Sequence, residues 1–158
     1  MTKDFSHLDE TGGISMVDVG AKMPTQREAV AAVTVKMRPA TLKKLVERAL
    51  PKGDVLATAK VAGVLAAKQT SALIPLTHSI PLDSVDVTFD LDPKAGTIEI
   101  RSIVRCEGKT GVEMEAMTAC AIAALTIYDM CKSAEKGIMI DSLQLVRKSG
   151  GKSGTWER

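Results

Sequence analysis

Apolar and polar positions alternate from Ala31 to Met37, with Val33, Val35 and Met37 on one face, the period of a half-buried strand. Ahead of it, residues 1–13 are polar and close on a glycine pair, which reads as a loose, flexible arm. Residues 14–28 hold no steady period and read as a second extended, irregular stretch. Thr41 stands where it would cap a short helix over residues 42–50, which Pro51 ends. Asp54, after Gly53, is the expected cap of a second helix over residues 54–72, with Ala57, Val61, Val64, Leu65 and Ala67 on its apolar face. Pro75 stops that helix, and Leu76-Thr77-His78-Ser79 reads as a loop. Val85–Leu91 and Thr97–Arg105 form a β-hairpin around Asp92-Pro93-Lys94-Ala95-Gly96. A long helix over about residues 112–135 ends at Lys136-Gly137, and Ile138–Val146 is the last strand. Residues 148–158 form a Gly- and Lys-rich tail whose composition reads as a disordered, solubilising end.

The order is β, two helices, β, β, α, β. Merging the helices into one crossover predicts an α+β protein of the ferredoxin-like split β-α-β plan, an antiparallel sheet with helices packed on one face. Residues 14–158 make a single domain. Many functions share this plan, so it selects none of them.

Composition changes the picture in two ways. The 158 residues are 45% hydrophobic but only 3% aromatic, so the core must be built from Ala, Val, Leu, Ile and the eight Met. A core of small side chains is thin, which favours oligomerisation. The net charge of +2 is too small, and the aromatic content too low, for a nucleic-acid binder. Cys106, Cys120 and Cys131 are odd in number and widely spaced, which argues against a disulfide framework or a zinc site. The polar start lacks a signal sequence, and the longest apolar run, Ala119–Ile127, is too short to span a membrane. A reduced, cytoplasmic protein fits these features.

The candidate chemistry lies on the long helix. Glu113, Glu115, Asp129 and Lys132 interrupt an otherwise apolar, Ala-rich run, and a helix built only for packing has no use for them. Asp129 and Lys132 are neighbours on one face. Their apolar surroundings predict a partly buried pair, in which proton transfer becomes feasible. Glu115 and Asp129 fall within about 40° of one face, yet the helix rise separates them by about 21 Å. Either the substrate is long, or glutamates of one subunit complete the site of another.

Gly108-Lys109-Thr110-Gly111 and Gly151-Lys152-Ser153-Gly154 are not Walker loops, because the required first glycine is missing from both. Each reads as a turn or as an anion site of backbone N–H groups and an ammonium. Lys52 precedes a helix start, and His78 sits in a loop without a ligand partner, so a metal site there is improbable. No motif asks for a metal ion or another cofactor.

Several blocks in order bring a family into view. Met16-Val-Asp-Val-Gly-Ala-Lys22, Lys52-Gly-Asp-Val, Leu73-Ile-Pro-Leu-Thr-His78, Gly108-Lys-Thr-Gly-Val-Glu-Met-Glu-Ala116, Ala124-Leu-Thr-Ile-Tyr-Asp-Met-Cys-Lys132 and Lys148-Ser-Gly-Gly-Lys-Ser-Gly154 resemble the MoaC family of molybdenum cofactor biosynthesis. The resemblance covers about residues 14–154. It implies a ferredoxin-like subunit in a homohexamer, a trimer of dimers with active sites at a subunit interface. It also implies a substrate, (8S)-3′,8-cyclo-7,8-dihydroguanosine 5′-triphosphate, supplied by a radical-SAM GTP cyclase. That cyclised GTP derivative would be rearranged to cyclic pyranopterin monophosphate with loss of diphosphate.

Carried over by resemblance, Asp129 and Lys132 are the acid–base pair and Lys52 a further active-site lysine. Leu76, Thr77, His78, Met114 and Glu115 match substrate-contacting segments. Glu113, Arg27, Lys22 and Lys148 match polar positions around the pocket, with Arg27 and Lys148 expected on phosphates. One departure is local: the family's Leu-Cys-His-Pro loop is Leu76-Thr77-His78-Ser79 here. Thr keeps a small polar side chain, while the missing Pro removes a source of rigidity. A competing class is a non-catalytic, oligomeric nucleotide-binding module, in which Asp129 and Lys132 are merely structural.

Overall fold

The computed structural model of the protein describes residues 12–48 and 52–158. Among the described residues, five strands and four helices follow one another as β1 (Thr25–Lys36), α1 (Pro39–Val46), α2 (Val55–Lys68), α3 (Thr70–Leu73), β2 (Ser84–Asp92), β3 (Thr97–Gly108), α4 (Glu113–Cys131), β4 (Met139–Ser149) and β5 (Trp156–Glu157). The strands form one antiparallel sheet in the order β2-β3-β1-β4-β5. The first four in space, with α2 and α4 on one face, are the ferredoxin-like arrangement expected from the element order.

Alternation along the strands divides the sheet cleanly. Ala29, Ala31, Val33 and Val35 of β1 point with Ile98, Ile100, Val104 and Cys106 of β3 into the core. The opposite face carries cross-strand ion pairs beside the directly opposed Val30 and Ile103. Glu28 accepts from Arg105 at 2.6 Å and from Arg147 at 2.5 Å, and Lys36 pairs with Asp141.

The helices approach each other closely because their contact surfaces are small. Ala116, Ala119, Cys120, Ala123 and Ala124 of α4 are fully buried, and Gly63 of α2 fits against them. A methyl group on Gly63 would stand 3.0 Å from the Ala119 carbonyl oxygen. Ser102, the polar residue on the inner face of β3, donates to the Ala116 carbonyl at 2.6 Å and so carries no unpaired hydroxyl into the core. By length and composition α4 could cross a membrane, yet half of that stretch is buried inside the domain.

Several boundaries differ from the sequence reading, each for a tertiary reason. β1 begins at Thr25 rather than Ala31, because Thr25–Val30 pair with Ile103–Gly108 of an equally extended β3. The helix after β1 starts at Pro39, whose fixed φ suits a first helical turn. Thr41 does not cap it: Arg38 holds the cap position, and the Thr41 hydroxyl bonds the Glu135 carboxylate. The predicted end of that helix, at residues 49–51, lies outside the described residues, as do residues 1–11 of the arm.

Asp54 caps α2 as expected, accepting from the Ala57 N–H at 3.0 Å, but α2 breaks at Gln69 and α3 follows separately. The hairpin forms as read, extended by a few residues; the last strand begins one residue later and runs from Met139 to Ser149, and α4 ends at Cys131 rather than near residue 135. The tail is not a loose end. It folds back so that Trp156 and Glu157 pair with Lys148 and Arg147. Gly150 and Gly151 make this reversal with φ of +102° and +72°, and a Cβ on Gly150 would lie 2.0 Å from the Gln26 carbonyl oxygen.

Candidate active site

Polar groups gather at both ends of α4. At its C-terminal end, Ile127, Met130 and Cys131 take the inward positions, which turns Asp129 and Lys132 outward. The expectation of a partly buried pair is therefore corrected: their side chains are 55% and 52% exposed. Lys132 Nζ lies 2.7 Å from Asp129 Oδ1. Lys52, on the turn ahead of α2, donates to Asp129 Oδ2 at 2.8 Å and to the Asp129 carbonyl at 3.0 Å. Packing of α2 on α4 brings these two residues together from 77 positions apart.

Each carboxylate oxygen thus holds one ammonium. Lys132 first, then Lys52, pull the Asp129 carboxyl down to about 2, and Asp129 in turn raises Lys132. Both groups are fully ionised at neutral pH. They line an open cavity of about 410 Å³ together with Tyr128, Ser133 and Lys136.

The N-terminal end of α4 is built differently. A cavity of about 810 Å³ is lined by Lys22, Arg27, Lys109, Glu113, Lys148 and Lys152, among others. A second, of about 310 Å³, adjoins it and reaches Leu76, Thr77, His78, Met114 and Glu115. Lys22, Thr110, Gly111 and Glu113 line both. Glu113 pairs with Lys148 at 2.9 Å. Arg27 donates to the carbonyls of Gly108 at 3.3 Å and Lys109 at 3.4 Å.

A Cβ on Gly151 would collide with the Arg27 guanidinium, so the folded-back tail closes over that side chain. Glu115 is only 4% exposed, and burial pushes its carboxyl up despite a backbone hydrogen bond, with the Glu113 charge adding to the rise. In the His78 loop, the Thr77 hydroxyl and N–H both donate to the Ile74 carbonyl, at 2.9 and 3.2 Å. This turn precedes His78 and fixes where the loop leaves α3.

The structure therefore brings the sequence-selected residues into two groups, not one. Lys52, Asp129 and Lys132 form the first; Lys22, Arg27, Leu76, Thr77, His78, Glu113, Met114, Glu115 and Lys148 form the second. Sixteen positions of helix separate Glu113 from Asp129, about 24 Å of rise. No residue lines both the Asp129 cavity and either of the others.

Sequence reasoning did not place Tyr128, Ser133 and Lys136 beside Asp129, although helical spacing puts Tyr128 and Lys132 on one face. Glu28 also went unselected; its ion pairs belong to the open face of the sheet. Among the described residues, no group of three or more His, Cys, Asp or Glu side chains sits together as a metal cage would require.

Fold and site together define a ferredoxin-like α+β protein with a lysine- and arginine-rich cavity suited to an anionic small molecule, and a separate lysine-clamped carboxylate. The MoaC family model matches residues 16–151, and the chain belongs to that family. A relative from Chloroflexus aggregans is 56% identical over 154 residues, covering 98% of this chain and 93% of its own length. Others from Bordetella pertussis, at 55%, and Geobacter sulfurreducens, at 53%, each cover 98% of this chain and 96% of their own. All three are named cyclic pyranopterin monophosphate synthase.

Proposed function

We propose that Asp129, Lys132 and Lys52 carry the proton transfers of a cyclic pyranopterin monophosphate synthase, and that Lys22, Arg27, Lys148 and Glu113 receive the substrate. The chain is an enzyme of molybdenum cofactor biosynthesis, in keeping with relatives of that name over nearly its whole length. Its substrate is a cyclised, GTP-derived triphosphate. Ring opening, pterin closure and attack on the α-phosphorus with diphosphate leaving need proton shuttles and cations for the phosphates. Leu76, Thr77, His78, Met114 and Glu115 contact the base-derived part.

The observation that carries this reading is the Asp129 carboxylate held by two ammoniums at 2.7 and 2.8 Å in an open cavity. Two lysines on an exposed aspartate add little to stability, so the arrangement suits chemistry better than packing. In the exposed pair the proton affinities of aspartate and lysine are far apart. Desolvation raises a carboxyl and lowers an ammonium, which narrows the gap and makes exchange possible. A second subunit laid over this cavity supplies that desolvation.

The same subunit would bring its own Arg27, Lys148 and His78 to Asp129, which spans the distance that one chain cannot. The assembly is a homohexamer, a trimer of dimers with interfacial sites. It works in the cytoplasm on the product of a radical-SAM GTP cyclase. Three buried, unpaired cysteines are in keeping with a reducing compartment.

Mixing two inactive variants tests both claims. Asp129→Asn and Lys148→Ala, co-assembled in equal amounts, should regain about a quarter of the wild-type diphosphate release if each site draws on two subunits. No recovery would place both residues in one subunit's site. A wild type that binds the triphosphate without releasing diphosphate would make the chain a binding module.

A further inference from the structure

Residues 17–23 cross the mouth of both cavities at the N-terminal end of α4. Val17, Val19 and Lys22 line the smaller one, and Ala21, Lys22 and Met23 the larger. Val17 and Val19 are half-buried, but the rest of the segment is not held by the core: Asp18, Gly20, Ala21, Lys22 and Met23 are all exposed. Its turn is closed locally, by the Gly20 N–H on the Asp18 carboxylate at 2.7 Å and by the Lys22 N–H on the Val19 carbonyl at 3.1 Å. The tie from this turn to the body of the domain is made by Lys109, whose ammonium donates to the Gly20 carbonyl at 2.8 Å.

Lys109 also acts through its backbone. Its carbonyl, with that of Gly108, accepts from the Arg27 guanidinium. One short stretch at the end of β3 therefore fixes two other cations of the same cavity: Arg27 directly, and Lys22 through the turn two residues before it. Lys109 is half-buried as a residue, while its ammonium is engaged with a neutral carbonyl at the exposed surface.

We propose that Lys109 is a positioning residue whose ammonium pins residues 17–23 across the site and so holds Lys22 at the junction of the two cavities. This rests on the functional reading above. Lys109 acts on the anionic substrate through Lys22, not by gripping a phosphate itself. Its loss releases the segment, so that binding the triphosphate must also order seven residues of chain.

Lys109→Met keeps the length of the side chain and removes the donor; Lys109→Arg restores a donor. Hydrogen exchange is followed at residues 17–23 of the free enzyme, and diphosphate release from the cyclised triphosphate gives KM and kcat. For Lys109→Met, exchange should accelerate roughly tenfold and KM should rise by a similar factor, with kcat within about twofold of wild type. Lys109→Arg should recover most of both.

Raised KM with unchanged exchange would overturn the proposal in favour of direct phosphate contact. Faster exchange with unchanged KM would overturn it in favour of a purely structural tie. Wild-type enzyme that releases no diphosphate would instead remove the functional reading, and the catalytic part of this one with it, while the exchange result would still report the tie.

Discussion

Glu115 and Asp129 sit at opposite ends of α4 in opposite electrostatic situations. Glu115 is buried, and desolvation pushes its carboxyl up. Asp129 is exposed, and Lys132 and Lys52 hold it at about 2. Around Glu115 stand two adjoining cavities, a turn laid across their mouth and a tail folded onto Arg27. Asp129 has an open cavity with few walls. One end thus offers the largest described cavity beside a buried carboxylate, and the other a carboxylate clamped by two ammoniums in a smaller, open cavity. A helix of this length keeps the two halves apart in one chain, which is the gap that the proposed second subunit would bridge.

The comparison breaks most visibly in the rate. Asp129→Asn should lower kcat by about 10²–10⁴ while leaving the unfolding midpoint nearly unchanged, since the side chain is exposed and outside the core. Thermal unfolding and diphosphate release on the same preparation check this. A large loss of stability would make the carboxylate structural.

Gly63 sharpens the comparison, because it faces the middle of α4. Gly63→Val should destabilise the fold by about 1–3 kcal/mol, since its branches must enter the space beside the Ala119 carbonyl and Val87. Chemical denaturation should show that cost with a single transition, both ends of α4 unfolding together.

The pH dependence separates the two ends by sign. Asp129 has a lowered carboxyl, so its contribution to stability is present at neutral pH and is lost as pH falls through its folded value of about 2. Glu115 has a raised one, so its favourable protonated state is present below the ordinary glutamate range and is lost as pH rises through its folded value. Glu115→Gln should therefore raise the unfolding midpoint modestly at pH 7, with little effect at pH 4, and impair substrate binding. A lowered midpoint at pH 7 would show that the carboxylate is held by a partner rather than stranded.

The smallest effect belongs to a pair remote from both ends. Lys43 and Glu47 are exposed one turn apart on α1 and just past its end, at 3.8 Å. Lys43→Ala should change stability by no more than about 0.5 kcal/mol and leave KM and kcat unaltered.

Local pattern in the chain carried the order of elements, the hairpin, the Asp54 cap and the long helix, because each leaves a period or a stop signal within a few residues. The candidate residues on α4 stood out in the sequence as well, since charges inside an Ala-rich run violate the pattern that packing alone would require. The family resemblance added Arg27, Lys22 and Lys148 to the candidates, whose individual chemistry is unremarkable in isolation.

Other features were decided only by the folded chain. Thr25–Val30 lack a clear alternation and become strand because β3 offers them unpaired backbone groups. The glycine-rich tail becomes ordered because β4 leaves an edge for Trp156 and because Gly150 and Gly151 fit where a side chain would strike Gln26 and Arg27. Lys52 meets Asp129, and Lys109 meets Gly20, across 77 and 89 positions of chain. Exposure, too, was settled only in three dimensions. The apolar letters around Asp129 mark the inward face of α4, and a turn of about 100° per residue sets its carboxylate in water. Periodicity along a sequence records which face a residue takes, while the partner on that face comes from elsewhere in the chain.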